Sequence, residues 1–207
     1  MELILTVLVV GLLLVLNELW VRQLSQPTEL SRKFIHITVG SFVAFWPFFL
    51  SWTQITLLSI AFVLVVAVSK YFHIFSAIHS VQRPTYGEVF FGLAVGAIAL
   101  VTHSKGIYAA ALLQMSLADG LAAVVGLRYG KGNTYKVLGA TKSVAGTATF
   151  FAVSMTLLAG YSVISDVTIA PLIMLSMAAG ASAIENVGVY GLDNLLVPLL
   201  IAAALSL

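Results

Sequence analysis

The chain has 207 residues, 60% hydrophobic and only 9% charged, with a formal net charge of +2 and no cysteine. A soluble domain carries roughly 25% charged residues, so a mean hydropathy of +1.07 marks an integral membrane protein. The small net charge argues against nucleic acid as a partner. The missing cysteine excludes disulfides, thiolate metal sites and cysteine nucleophiles.

A spanning helix needs roughly 20 apolar residues. Against that length, the apolar runs predict segments at about 2–21, 33–50, 52–69, 88–103, 107–127, 142–161, 168–185 and 190–207. The fourth and the last two are short or interrupted, so the expected fold is an all-α polytopic membrane bundle of seven or eight transmembrane helices. No polar linker divides the chain, and residues 1–207 read as a single domain. The first segment opens with Glu2 in place of a basic stretch and lacks a small-residue cleavage site, so it reads as a span rather than a removable signal.

On this topology Arg22, Arg32, Lys33, Lys70, Arg83, Arg128, Lys131, Lys136 and Lys142 fall on one side, and Lys105 alone on the other. The positive-inside rule puts the larger group in the cytoplasm and both termini outside a cell or inner membrane. Glu18, Glu29, Glu88, Asp119, Glu185 and Asp193 gather toward the same cytoplasmic half, as a catalytic surface at the inner leaflet requires. Glu2 and Asp166 lie outside.

Taken in chain order, Arg32, Lys33 and His36 share a face at the cytoplasmic end of the second span. They suit phosphate, with His36 assisting proton transfer; equally, they suit simple anchoring and a helix–helix hydrogen bond. Arg83-Pro84-Thr85-Tyr86-Gly87-Glu88 opens the fourth span, with Glu88 in the first turn where the helix dipole favours an anion. Glu88 is therefore a candidate metal ligand or general base, or a plain helix-start charge.

Asp119 stands inside an apolar run, followed by Gly120, Gly126, Arg128 and Lys131. A carboxylate at membrane depth is costly and marks a site by default; a Mg²⁺ ion bridging phosphates takes one or two such ligands. Lys142-Ser143-Val144-Ala145-Gly146-Thr147 is expected to open the next helix with Thr141 as its N-cap, presenting Lys142 and free N–H groups to phosphate oxygens. The GxxxxGK[ST] pattern of a P-loop is absent. Glu185-Asn186 and Asp193-Asn194 flank a break at Gly188 and Gly191, as where a discontinuous helix lines a polar cavity. They are candidate nucleotide or metal contacts, Asp193 among the latter. Gly92-x-x-x-Gly96 reads as a close helix crossing. Trp20, Trp46 and Trp52 read as interfacial anchors, and His73 and His79 as loop residues without a role.

These motifs together resemble the CTP-dependent lipid kinases: phytol kinase, dolichol kinase and the CTP-using diacylglycerol kinases. The resemblance is carried by Arg32-Lys33-x-x-His36, Tyr86-Gly87-Glu88, Asp119-Gly120 through Gly126, Arg128 and Gly130, Lys142-Ser143-x-x-Gly146-Thr147, and Glu185 with Asp193-Asn194-x-x-Val197-Pro198. Where phytol kinases usually carry tryptophan after the Lys-Ser pair, Val144 stands here.

The resemblance implies CTP as phosphoryl donor and a lipid alcohol as acceptor, an isoprenoid alcohol ahead of diacylglycerol. On that basis Asp119, Glu88 and Asp193 are expected at Mg²⁺. Arg32, Lys33, Arg83, Gly120, Gly126, Arg128, Lys131, Lys142, Ser143, Gly146, Thr147, Glu185, Asp193 and Asn194 are expected around the nucleotide. Asp119, Lys142, Glu88 and His36 are the expected catalytic set, Glu88 or His36 taking the alcohol's proton. Two other readings stand beside this one: a cytidylyltransferase making a CDP-lipid, and a cation-coupled transporter. Membrane lipids are obligatory surroundings, and a homo-oligomer is compatible with the pattern.

Overall fold

The computed structural model describes the backbone of residues 1–23, 29–72 and 86–207, and their side chains except at 21–23 and 70–72. Arg83, His73 and His79, and the side chains of Arg22 and Lys70, lie outside the described residues.

Eight helices run through the described chain: α1 (Glu2–Gln23), α2 (Glu29–Ala44), α3 (Trp52–Phe72), α4 (Gly87–Val101), α5 (Lys105–Tyr129), α6 (Val144–Ile164), α7 (Pro171–Val187) and α8 (Asp193–Leu205). The all-α bundle expected from the apolar runs is the fold observed. Four helices, α1, α3, α5 and α6, are long and apolar enough to cross a membrane; α4, α7 and α8 are apolar but shorter. Two features depart from the expected spans. The predicted 33–50 segment stops at Ala44 and turns through a short 3₁₀ stretch at Trp46–Phe48, where Pro47 cannot donate to a continuing helix. The polar stretch after α5 forms an antiparallel hairpin, β1 (Thr134–Val137) with β2 (Ala140–Ser143).

Local chemistry explains the helix starts. Ser51 and Gln54 exchange side-chain and backbone hydrogen bonds ahead of α3, a capping box. The Ser104 hydroxyl accepts from Ile107 N–H at the start of α5, and Pro171 occupies the first turn of α7, where its missing donor costs nothing.

Helix α5 is the hub. More than half of it is buried (56%), against 11% to 22% for the other long helices. Tyr108, Leu112 and Met115 are wholly enclosed, packed with Phe150 of α6 and Ile201 of α8. Trp46, expected at an interface, is instead 7% exposed and belongs to this core.

The Gly92/Gly96 crossing is present as read. A Cβ on Gly92 would lie 2.7 Å from Val63 Cγ2, and one on Gly96 would collide with the Ser59 hydroxyl. Gly160 on α6 has nothing near its missing Cβ. Gly96→Leu should lower stability by about 1–3 kcal/mol through overpacking, whereas Gly160→Leu should not; thermal unfolding of both variants in detergent compares them.

Candidate active site

The charged residues that the sequence scatters over four helices meet at one end of the bundle. Asp119 comes from the middle of α5, Lys33 and His36 from the start of α2, Glu185 from the end of α7 and Asp193 from the start of α8. Lys33 Nζ donates to Asp119 Oδ2 at 2.5 Å, with side-chain exposures of 11% and 8%, so the pair is largely desolvated. His36 Nε2 lies 3.5 Å from the same oxygen and 3.1 Å from the Met115 carbonyl. A carbonyl only accepts, so Nε2 carries the proton and donates to it.

That carbonyl belongs to a π turn of α5 at Gln114–Ala118. The Asp119 N–H bonds to Ser116 O instead of to Met115 O four residues back. Such turns expose backbone acceptors within a helix and cluster at functional sites. The turn thus gives His36 its anchor next to Asp119.

Asp119, Glu185, Asp193 and Asn194 line one cleft, floored by Met115, Phe150 and Val197, with an interior too tight for a water molecule. Gly188 backs onto this wall: a Cβ there would sit 2.6 Å from Asp193 Cβ. Lys142 reaches the cleft edge from β2, hydrogen-bonding the Glu185 carboxylate and, at 2.9 Å, its carbonyl. Burial opposes the Lys142 ammonium, but Glu185, with Asp193 and Asp119 behind it, outweighs burial and raises its pKa above the ordinary lysine value. The lysine therefore stays charged through the physiological range.

The expected helix start at Thr141 is displaced. Lys142 lies on the hairpin, and the N-cap is Ser143, whose Oγ accepts from Gly146 N–H at 3.1 Å. The glycines around it serve a close crossing of α5 and α6. A Cβ on Gly126 would come within 2.8 Å of Ser143 Oγ, one on Gly146 within 3.0 Å of Ala122 O, and one on Gly130 would overlap Ser143. Gly120 packs in the same way on Ile37 of α2.

Thr147 bonds Asn186 Oδ1 at 3.1 Å, and Tyr135 of β1 bonds both. Tyr135 escaped the sequence reading, because a lone tyrosine in a polar stretch carries no spacing signal. Its hydroxyl ties the hairpin to α6 and α7 and so fixes where Lys142 points.

The remaining expected residues sit around this centre. Half-buried Glu88, in the first turn of α4, is within electrostatic range of Arg32, which pairs with Glu29 at 2.5 Å. Asn194 Nδ2 donates to Gly87 O at 3.1 Å, and Tyr86 N–H to Tyr190 O at 2.9 Å, stitching the start of α4 to the α7–α8 turn. Arg128, in the last turn of α5, and Lys131, just beyond it, are both exposed. Among the described residues no three acid or histidine side chains form a ready metal cage. Asp119 and Asp193 share that cleft, and they are the carboxylates that would hold a Mg²⁺.

The chain is 34% identical to the phytol kinase of Synechocystis sp. over 197 residues, 91% of this chain and 83% of that one. This protein belongs to the phytol kinase family. No protein-family model and no solved structure matches it. The residues that carried the family resemblance, from Lys33 and His36 through Asp119 to Lys142 and Asp193, are those that converge at this end of the bundle.

The buried Lys33–Asp119 pair makes a clean stability prediction. Lys33→Ala strands a desolvated carboxylate and should cost roughly 3–5 kcal/mol. Adding Asp119→Asn should recover most of that loss, as read by thermal unfolding in detergent.

Proposed function

We propose that this protein is a CTP-dependent kinase of a lipid alcohol, acting at the cytoplasmic face of the membrane as a single domain. The observation that carries the reading is the shared cleft of Asp119, Asp193 and Glu185, with Lys142 at its edge and Lys33 on Asp119. Family membership supplies the lipid alcohol as acceptor, and the motif resemblance supplies CTP as donor. An isoprenoid alcohol is the preferred acceptor, ahead of diacylglycerol.

Phosphoryl transfer is mainly positioning and charge neutralisation. Asp119 and Asp193 would hold Mg²⁺, which when bound offsets charge on the β- and γ-phosphates. Lys142 and Lys33 are the closest cations for phosphate oxygens, with Arg32 behind them; Arg128 and Lys131 provide an outer attractive field. The alcohol oxygen forms a bond to the γ-phosphorus, the bond to the β–γ bridging oxygen breaks, CDP leaves, and the alcohol's proton passes to a side-chain base. Glu88, in the first turn of α4, and His36, through the Nδ1 left free when Nε2 donates to Met115 O, are the two candidates for that role. His36 also positions Asp119.

Asp119→Asn and Lys142→Ala should each lower kcat by about 100-fold or more, with both variants still folded in detergent. Chelation should abolish turnover and Mg²⁺ restore it. The assay uses CTP labelled at the γ-phosphate: label in the lipid supports a kinase, label in pyrophosphate supports a cytidylyltransferase, and no turnover of CTP removes both. Full activity in both variants would dismantle the proposed site.

A further inference from the structure

We infer that the apolar groove between α2, α3 and α4 binds the hydrocarbon tail of the lipid alcohol, entering beside His36 and ending at Trp46. This rests on the kinase reading and deepens it by giving the substrate's apolar part a place.

On α2, His36, Val39 and Val43 follow one another at spacings of three and four, so they form a single stripe, and Trp46 of the 3₁₀ stretch follows just beyond the helix end. Val39, Val43 and Trp46 line a cavity whose opposite wall is Phe91 and Val95 of α4, with Phe62 of α3 between. The polar and apolar parts are continuous: the Phe91 ring stands edge-on to the His36 ring at 5.7 Å, and His36 lies 3.5 Å from Asp119 Oδ2. Glu88 precedes Phe91 by one turn on α4 and sits at the same polar end. Two groups on the wall are polar: the Ser59 hydroxyl, which is spent on Thr56 O at 3.0 Å, and the buried Trp46 indole N–H at the far end. Apart from the spent hydroxyl and that one N–H at its closed end, the groove is lined by hydrocarbon.

Length singles out the occupant. From His36 to Ala44, eight residue steps of α2 rise about 12 Å, and Trp46 lies just beyond, so the stripe comes close to the roughly 15 Å depth of one leaflet. A lipid alcohol with its hydroxyl at the Asp119 end would lie along the groove as it lies in a leaflet. About 30 Å³ is already open there, and an apolar gap of this kind stays dry and takes up hydrocarbon. A full tail needs more room, which the outer wall can give. Val10 of α1 closes that side, and α1 is only 11% buried.

The test uses a twenty-carbon prenyl alcohol bearing a terminal diazirine, photolysed with the purified protein in lipid nanodiscs without nucleotide. Peptides covering residues 39–46 and 91–95 should carry the label, and unlabelled alcohol should compete it away. Uncompeted label spread over the lipid-facing sides of α1 and α6 overturns the groove. In kinetics, Val43→Phe should raise KM for the twenty-carbon alcohol about tenfold more than KM for a five-carbon one. Trp46→Ala should move the preferred tail length upward. Equal effects on both tail lengths in both variants also overturn the groove. Because labelling needs no turnover, an inactive but competitively labelled protein would sink the kinase reading and keep the groove.

Discussion

Everything at the charged end of this bundle depends on keeping Asp119 ionised inside a helix that is mostly enclosed. A buried carboxylate is tolerated when paired and hydrogen-bonded, and α2 supplies both: Lys33 at 2.5 Å and His36 at 3.5 Å from Asp119 Oδ2. The two residues are three apart, so one face of α2 must dock against α5 at that level. Gly40 tightens the same seam one turn further on, where a Cβ would sit 2.5 Å from Ser116 Cβ. The π turn completes the arrangement by carrying the Met115 carbonyl to which His36 donates. Pairing, docking and backbone irregularity are thus one feature, and the position of the cleft follows from it.

The cations at the cleft are not free. Lys33 is held by Asp119, Lys142 by Glu185 and Arg32 by Glu29. On the proposed reading, an incoming triphosphate competes with carboxylates for the same donors, and a metal ion brought with it gives those carboxylates a new partner. The Tyr135–Thr147–Asn186 cluster holds the base of the hairpin still while Lys142 changes partner.

The helices were legible because length and apolarity are nearly all that a spanning segment needs, and the short fourth and last two spans were recognisable as such. Asp119 stood out for its cost. Which lysine would meet it was not legible. Lys142 follows it on the next element, yet Lys33, 86 residues earlier, makes the contact, because helix docking decides such pairs and sequence distance does not. The hairpin was hidden by its brevity and by a turn that puts Leu138 at φ 48° beside Gly139 at φ 81°, where an asparagine or aspartate would have signalled it. Glycines near lysines suggested phosphate; in three dimensions Gly126, Gly130 and Gly146 surround Ser143 and let two helices cross. Small residues read alike in both roles, and only the neighbour at the missing Cβ separates them.

The short helices acquire a purpose from where they stop. Helix α4 begins at Gly87, α7 ends at Val187 and α8 begins at Asp193, and all three ends stand at the cleft. Measured from the Lys105 end of the bundle, the 15 residues of α4 rise about 23 Å, short of a hydrocarbon core of roughly 30 Å. The 25 residues of α5 and 21 of α6 overshoot it. Charged helix ends recessed between longer helices form a polar floor below the headgroups. A hydroxyl carried on a hydrocarbon tail can reach such a floor without leaving the bilayer, and a nucleotide can descend to it from the aqueous side. On the proposed reading, this mismatch in helix length is what would bring a lipid alcohol and a nucleotide to one set of carboxylates.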